Sequence, residues 1–197
     1  MIVVRQWHIL LVALVLCVLP QRAQADEAAD FINDIGKRVV AILSDKGMAD
    51  AAKDSQLQML FKESVDVDWI GRFVLGKYWR TASEAQQQRY LDNYSGFLIK
   101  SYTSKFKEYT GSETYKILDS KTDDQGRTVV TMELVRPGQA NVLVDYKLRK
   151  EDGKLRVFDI VVEGVSLLTT QRSEFASVVS RKGLDYLIDQ LQKRAQG

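Results

Sequence analysis

Residues Gly71–Tyr78 come close to the spacing of a phosphate-binding loop, in which glycine amides cradle phosphates ahead of a lysine and a hydroxyl. The glycines and the lysine are in place, but Tyr78 stands where a serine or threonine would bind magnesium. Three large apolar residues, Phe73–Leu75, fill the part of the loop that should be flexible. The segment therefore predicts an apolar helix that ends at Gly76 rather than a nucleotide site.

Pairs of carboxylates are the other candidates for chemistry, since two acids in one cleft can act as general acid and general base. Asp66 and Asp68 flank a predicted helix start, where capping explains them. Asp159 and Glu163 share a face of an otherwise apolar strand. We expect Asp159 to accept a hydrogen bond from a helix N-terminus and Glu163, beside Gly164, to lie at a rim. We therefore expect no enzyme activity, with a carboxylate-dependent hydrolase or lyase as a minor hypothesis.

The N-terminal residues have the layout of a secretory signal peptide. Arg5 precedes eleven uncharged and mostly large apolar residues, Ile9–Leu19, and Ala23–Ala25 forms an A-x-A cleavage site. The apolar run is shorter than the about 20 residues that a membrane-spanning helix needs. We therefore expect residues 1–25 to be a cleaved leader and residues 26–197 to be a single exported domain.

Cleavage would also remove the most reactive side chains. The only histidine, His8, and the only cysteine, Cys17, lie in the leader. The remaining chain cannot form a cysteine nucleophile, a Ser-His-Asp triad, a His/Cys zinc site or a disulfide. Cleavage removes Arg5 and Arg22 but no acidic residue, so 26 basic and 26 acidic residues remain. This balance argues against nucleic-acid binding, and we expect no metal and no cofactor.

The first half and the end of the chain predict helices, because apolar residues recur three or four positions apart. We expect Asp68 to cap a short helix that ends at Gly76. Ser83–Gln86 is a capping box that opens a long helix, which we expect to end at Gly111. Two further helices, separated by Gly183, are expected at the end of the chain.

Alternating apolar and polar residues indicate strands over 129–134, 142–149 and 155–162, with a weaker fourth over 115–118. Short turns join the three main strands, which predicts an antiparallel meander. The whole pattern predicts an α+β fold, with a twisted antiparallel sheet of about four strands packed against several helices. The strand over 155–162 is apolar on both faces, which fits either a central strand covered on both sides or the wall of an internal cavity.

Ten aromatic residues crowd the stretch between Trp69 and Tyr109. Core packing explains most of them. The functional alternative is that some of the tyrosines and tryptophans lie at the edge of an apolar pocket, since each of these rings has an apolar body and a polar tip.

Three ordered blocks of the sequence resemble the MlaC family of periplasmic phospholipid carriers, also called toluene-tolerance auxiliary proteins. They are FVLGKYWRTAS (Phe73–Ser83), VEGVSLLTTQRSEF (Val162–Phe175) and RKGLDYLIDQL (Arg181–Leu191). The resemblance implies a twisted antiparallel sheet backed by helices, with a deep apolar pocket that holds the acyl tails of a phospholipid while the head group stays in solvent. It also implies periplasmic shuttling between an outer-membrane lipoprotein–porin complex and an inner-membrane ABC transporter with a substrate-binding ring.

Strand alternation and the resemblance together suggest the pocket residues. Glu163 and Val165 lie in the EGVS segment of the family, which places them near the pocket mouth. Lys147 and Arg149 belong to a basic segment that could contact a partner, but we favour the simpler expectation that they lie on a solvated edge strand. The expected lipid-binding residues are Phe73, Val74, Val130, Met132, Val142, Val144, Tyr146, Phe158, Ile160, Val162 and Val165. A shift of one residue in the pairing register of a strand would turn these side chains away from the pocket and the alternate ones towards it.

A carrier of this kind needs a large apolar cavity. Shielding about thirty lipid methylenes at about 0.8 kcal/mol each requires some 24 kcal/mol. We therefore expect a cavity near or above the upper end of the usual ~300–1,000 Å³ range. The alternative hypothesis is a periplasmic protein-interaction module with a solid core and no lipid. Either protein is expected to be a monomer, and the sequence does not reveal the head group, the number of bound chains or the direction of transport.

Overall fold

The computed structural model describes residues 19–105 and 109–196, with side chains described from Ala23 onward. The charged and apolar parts of the expected leader, up to residue 18, lie outside the described residues, as does Phe106. The first described helix, α1 (Leu19–Ser44), continues across the expected cleavage point before Asp26.

Residues just before that point contact the sheet. The Gln24 side chain donates a hydrogen bond to the Gly126 carbonyl (2.9 Å), and the Ser120 hydroxyl donates to the carbonyl of buried Ala25 (2.6 Å). Cleavage before Asp26 would therefore remove two hydrogen bonds and leave the rest of α1 in place.

Six more helices occur in the described part of the chain. They are α2 (Asp50–Ser64), α3 (Val67–Leu75), α4 (Lys77–Thr81), α5 (Glu84–Thr103), α6 (Leu167–Lys182) and α7 (Leu184–Gln196). The capping box is confirmed, because Ser83 Oγ accepts from Gln86 N (3.2 Å) and Gln86 Oε1 accepts from Ser83 N (3.1 Å). The prediction that the near-match to a phosphate loop is an apolar helix ending at Gly76 is also confirmed.

Two predicted helix boundaries are wrong. Asp66, rather than Asp68, caps α3, since its Oδ1 accepts from Trp69 N (3.2 Å), whereas Asp68 lies in the first turn and is exposed. The long helix α5 ends at Thr103 and not at Gly111. There the Ser104 hydroxyl donates to the Ser101 carbonyl (3.0 Å), a local bond that competes with the helical pattern.

The strands form one open antiparallel sheet in the order β1 (Thr114–Thr122), β2 (Thr128–Val135), β3 (Val142–Glu151), β4 (Lys154–Val162) and β5 (Val165–Ser166). The predicted α+β meander is therefore confirmed, with a two-residue fifth strand in addition. β3 lies between β2 and β4, so the expectation that Lys147 and Arg149 lie on an edge strand is wrong.

The apolar side chains form two main clusters that meet at β4. The helical core lies among α3, α5, α6 and α7, and it includes Val74, Tyr90, Tyr94 and Ile188. The sheet core lies between α1 and strands β2 to β4, and its buried residues are Ala28, Ile32, Val130, Leu148, Leu155 and Val157. Val65, just after α2, packs against both cores. The fold thus places β4 at a boundary between two apolar layers.

No helix within residues 19–105 and 109–196 is long and apolar enough to cross a bilayer.

Candidate functional site

A small apolar cavity lies at the boundary between the helical core and β4. Nine of its twelve lining residues are apolar, and they come from α2, α3, α5, α6 and β4 and from Val65, between α2 and α3. Its walls are Phe61, Val65, Ile70, Leu98, Tyr102, Val157, Phe158, Asp159, Ile160, Leu167, Leu168 and Gln171. The predicted position of an apolar pocket between sheet and helices is therefore confirmed.

A β-bulge explains why β4 can line this cavity and still pack on the sheet core. Leu148 of β3 pairs with Val157 and Lys147 pairs with Asp159, so Phe158 is an extra residue without a partner. Such a residue interrupts the alternation of side chains. Val157 and Ile160 consequently share the face of the sheet core, whereas Phe158 packs against the helical core. The expectation that Phe158 and Ile160 lie on one face is wrong for this reason.

The cavity is far smaller than expected. Its volume is about 30 Å³, which is room for about two water molecules. Among the described residues, the space between the sheet and the helices is thus far below the several hundred cubic ångströms expected. Facing apolar walls close on each other because an empty cavity costs about 24 cal/mol per Å³, or about 7 kcal/mol for 300 Å³.

Of the predicted pocket residues, Phe158 and Ile160 line this cavity and the others do not. The pairing of β2, β3 and β4 places Val130, Met132, Val142, Val144, Tyr146, Ile160 and Val162 on one face, as the predicted register requires. Phe73 and Val74 belong to the helical core. Val165 is 55% exposed beside the β4–β5 turn. Glu163 lies in that turn with a positive φ of 49°, and its Oε1 accepts from Leu143 N (2.6 Å).

Asp159 is a buried carboxylate in the cavity wall, and its charge is balanced. Its Oδ1 accepts from Leu168 N (3.2 Å), and its Oδ2 accepts from the Ser166 hydroxyl (2.8 Å). Lys147 Nζ lies 3.1 Å from the same Oδ2. The prediction that Asp159 hydrogen-bonds a helix N-terminus is confirmed, because Leu168 is in the first turn of α6.

Asp66 and Arg149 form a second ion pair, in which a buried carboxylate meets a half-buried guanidinium close to the cavity wall at Val65. Arg149 Nε donates to Asp66 Oδ2 (3.1 Å), and its guanidinium lies 4.5 Å from the ring centre of Trp69. The Asp66 amide also donates to the Val157 carbonyl (2.9 Å), which ties α3 to β4. The charges of Lys147 and Arg149 are thus used within the fold, and a partner contact by these residues stays a prediction.

Two polar cavity residues carry hydrogen-bond donors that the sequence did not single out. Tyr102 stacks on Phe61 with ring centres 5.8 Å apart. Gln171 Oε1 accepts from the Tyr94 hydroxyl (2.5 Å). Tyr102 belongs to the aromatic run between Trp69 and Tyr109, so that run was its only signal. Gln171 lies in the block Val162–Phe175 that carries the family resemblance, but no role was predicted for it.

A larger groove of about 540 Å³ lies on another side of the molecule, between α1, the end of α2 and the β3–β4 turn. Four carboxylates, those of Glu27, Asp30, Asp34 and Glu63, lie along it. Burying them against an acyl chain would cost their hydration, so this groove does not suit an apolar ligand. Among the described residues, no group of three or more His, Cys, Asp or Glu side chains could hold a metal ion.

Comparison with known proteins places the chain in a family. The family model described as MlaC protein matches residues 33–193. The chain belongs to the MlaC family. The matched range covers every strand and all the helices except the start of α1 and the last residues of α7.

Relatives of this MlaC-family chain have names that refer to lipid transport or solvent tolerance. It is 23% identical, over 134 residues and 66% of its length, to the intermembrane phospholipid transport system binding protein MlaC of Haemophilus influenzae. It is 30% identical, over 128 residues and 64% of its length, to the toluene tolerance protein ttg2D of Pseudomonas putida. These matches span 63% and 59% of the two relatives.

The fold is similar to that of a phospholipid-binding protein from Ralstonia solanacearum, solved in complex with a phospholipid. The TM-score is 0.72 at 23% identity, over 86% of this chain and 97% of the other. This likeness shows that the MlaC-family chain has the same fold.

Proposed function

We propose that this protein is a periplasmic lipid carrier that holds phospholipid acyl tails between the helical core and β4. The observation that carries the proposal is the apolar cavity at that boundary, whose polar wall residues are only Tyr102, Asp159 and Gln171. Membership of the MlaC family and the named relatives support it. The carrier would exchange lipid between an outer-membrane lipoprotein–porin complex and an inner-membrane ABC transporter with its substrate-binding ring.

Loading requires the two layers to separate. The cavity of about 30 Å³ is too small for an acyl chain, and lipid pockets of this kind need several hundred cubic ångströms. The gain from burying methylenes, about 0.8 kcal/mol each, exceeds the cost of parting the walls once about ten methylenes are inside. We infer that the helical layer moves away from β4 as the lipid enters, with Phe158 and Ile160 on the sheet side of the opening.

Native mass spectrometry tests this function. The full chain is expressed with its leader and purified from the periplasm without detergent. We expect a 172-residue protein beginning at Asp26, with an adduct of phospholipid mass that denaturation releases. A bare protein mass at gentle collision energies, together with no uptake from phospholipid vesicles, would overturn the proposal.

The small cavity also favours a second candidate, a periplasmic interaction module with a solid core. This protein would take up no lipid and would form a stable complex with a protein partner. The same vesicle-uptake experiment separates the two candidates, since only the carrier gains the mass of a phospholipid.

A further inference from the structure

Three arginines and a lysine surround Gly76, where α3 meets α4. Arg72 lies one turn before Gly76, Lys77 follows it, and Arg80 lies one turn further on. The guanidinium of Arg172, on α6, comes close to the same glycine, since a Cβ there would lie 3.2 Å from Arg172 Nη2. All four basic side chains are exposed. We call Arg72, Lys77, Arg80 and Arg172 the basic patch.

The charges of the basic patch are not balanced by nearby carboxylates. No acidic residue occurs between Trp69 and Ser83, and the acids that flank this run are Asp68 and Glu84. Within residues 19–105 and 109–196, none of the four basic side chains forms an ion pair or a hydrogen bond. Of the eleven arginines whose side chains are described, seven bind a carboxylate or a carbonyl oxygen, and three of the other four belong to the patch. Free positive charge is therefore concentrated at this surface.

Half-buried aromatic rings hold two of these guanidinium groups in place. Arg72 lies 5.7 Å from the ring centre of Trp79, and Arg172 lies 4.6 Å from the ring centre of Phe73. Both rings pack against the helical core. A ring face attracts a cation but carries no net charge. The rings therefore orient the two arginines without neutralising them.

The chemistry of the patch suits a surface of phosphate groups. A guanidinium group can donate two parallel hydrogen bonds to one phosphate. A stable protein interface also needs buried apolar anchors, and the exposed large apolar side chains of the described residues lie outside the patch. They are Met59, Leu118, Leu143, Val165 and Tyr186. None of the four basic residues lines either of the two cavities described above. The patch thus offers charge without an apolar anchor or a groove.

We propose that the basic patch docks the protein on an anionic phospholipid bilayer, at the level of the phosphate groups. The patch lies close to the cavity, because Arg172 directly follows Gln171 of the cavity wall. Phe73, beneath Arg172, also stacks on Trp69 with ring centres 5.0 Å apart. Docking would therefore bring the boundary between the helical core and β4 close to the bilayer. The inference goes beyond the proposed function, since adhesion to a bilayer does not require lipid uptake.

Co-sedimentation with vesicles tests the inference. The protein purified from the periplasm is mixed with sucrose-loaded vesicles of phosphatidylcholine, either alone or with about one third phosphatidylglycerol, in about 50 mM salt. Each cation near an anionic surface adds about fivefold in affinity, so two contacting cations should make binding to the anionic vesicles about 25-fold stronger. Raising the salt to about 500 mM should remove this preference, because salt screens the charges.

Matched arginine variants assign the adhesion to the patch. Arg72→Gln and Arg172→Gln should each lower the affinity for anionic vesicles about fivefold. Arg194→Gln is the control, since Arg194 is exposed, lies 5.9 Å from the ring centre of Phe97 and has no hydrogen bond in the described part of the chain. This variant loses the same charge at another surface and should change the affinity less than about twofold.

The outcomes separate this inference from the proposed function. Equal binding of the unmodified chain to neutral and anionic vesicles would overturn the inference and would leave an acidic protein surface as the partner of the patch. Equal losses in Arg72→Gln, Arg172→Gln and Arg194→Gln would also overturn it, because net charge rather than the patch would then drive binding. Adhesion to anionic vesicles without uptake of lipid would overturn the carrier function and leave this inference standing.

Discussion

Asp66 and Arg149 connect the helices to the sheet through one buried carboxylate. The Asp66 side chain is 4% exposed, and it both caps α3 and accepts from Arg149 Nε at 3.1 Å. Arg149 comes from β3, and its guanidinium lies over Trp69 of α3. The pair therefore joins the two layers at the point where Val65 pairs with Val157.

Replacing Arg149 should destabilise the fold strongly. Arg149→Met keeps the length of the side chain but leaves the buried Asp66 carboxylate without its cation. We expect a loss of about 2–4 kcal/mol in the free energy of unfolding, measured by urea denaturation at pH 7.

The matched control is Arg89→Met. Arg89 is 52% exposed and pairs with Asp185 and Asp189 at 3.3 Å, so its removal should cost less than about 1 kcal/mol. Adding Asp66→Asn to Arg149→Met should give less than the sum of the single effects, since asparagine still caps α3 without a charge. Equal losses in Arg149→Met and Arg89→Met would show that the Asp66–Arg149 pair stabilises the fold no more than an exposed ion pair does.

Stability should fall at alkaline pH as tyrosines ionise in the unfolded chain. Burial raises the pKa of Tyr146 to about 12, against about 10 in an unfolded chain. A raised pKa means that the folded state holds the proton more tightly, so this contribution is complete below pH 10 and is lost as the pH rises towards 12. Between pH 9 and 11, Tyr146 alone should account for a loss of about 1.4 kcal/mol.

Urea denaturation of the unmodified chain and of Tyr146→Phe at both pH values checks this prediction. The phenylalanine variant should lose about 1.4 kcal/mol less over the interval. Other buried tyrosines with raised pKa values, including Tyr90 and Tyr94, add to the loss in both proteins. Identical pH dependence in the two proteins would contradict the assignment to Tyr146.

The contact between α3 and α5 should not tolerate a methyl group at Gly71. A Cβ there would lie 2.9 Å from Leu91 Cδ2 and 3.0 Å from Tyr94 Cδ1. Leu91 can move, but Tyr94 is fully buried and its hydroxyl is held by Gln171. We expect Gly71→Ala to lower the free energy of unfolding by about 1–3 kcal/mol.

Gly47→Ala is the control for that substitution. A Cβ at this exposed position would meet only Asp45 Oδ1 at 3.3 Å, so the change should stay within about 0.5 kcal/mol. A neutral Gly71→Ala would mean that the two helices can move apart without cost.

Lipid entry should be visible at Trp69. This ring stacks on Phe73 with centres 5.0 Å apart and meets the edge of Phe158, which lines the cavity, at 5.5 Å. The mature chain holds only one other tryptophan, Trp79, which does not line the cavity. With Trp79→Phe, we expect fluorescence quenching by a phospholipid whose acyl chains carry bromine.

The reciprocal variant, Trp69→Phe, reports from Trp79 and should be quenched much less, because bromine quenches an indole only on close contact. Equal quenching of the two variants would indicate nonspecific adsorption of lipid to the surface. No quenching in either would count against lipid entry at this boundary.

The elements of the fold could be predicted because their signals are local. The Ser83–Gln86 box and the alternation in β2 and β3 depend on neighbouring residues, and both were identified from the sequence. The bulge at Phe158 could not be, because it depends on how Lys147 and Leu148 pair across the sheet. The cap of α3 was misplaced by two residues because Asp66 and Asp68 are chemically equivalent as caps.

The cavity walls were harder to predict than the strands. Phe61, Leu98 and Gln171 are brought to β4 by three different helices, and helical periodicity does not say which neighbour a face meets. The volume of the cavity also depends on how closely the helices pack against the sheet. Composition and alternation show that apolar surface is present, but they do not show whether two such surfaces touch.

Closure of the walls on each other has a consequence for the release of cargo. If a lipid holds the helical layer away from β4, then the contacts seen here are broken while it is bound and re-form when it leaves. The broken wall contacts would offset part of the binding free energy, so the affinity for lipid would be lower than that of a rigid cavity of the same size. Transfer of the lipid to an acceptor would then be favoured partly by the re-formation of these contacts. Without lipid, the closed protein would expose little apolar surface that could cause aggregation.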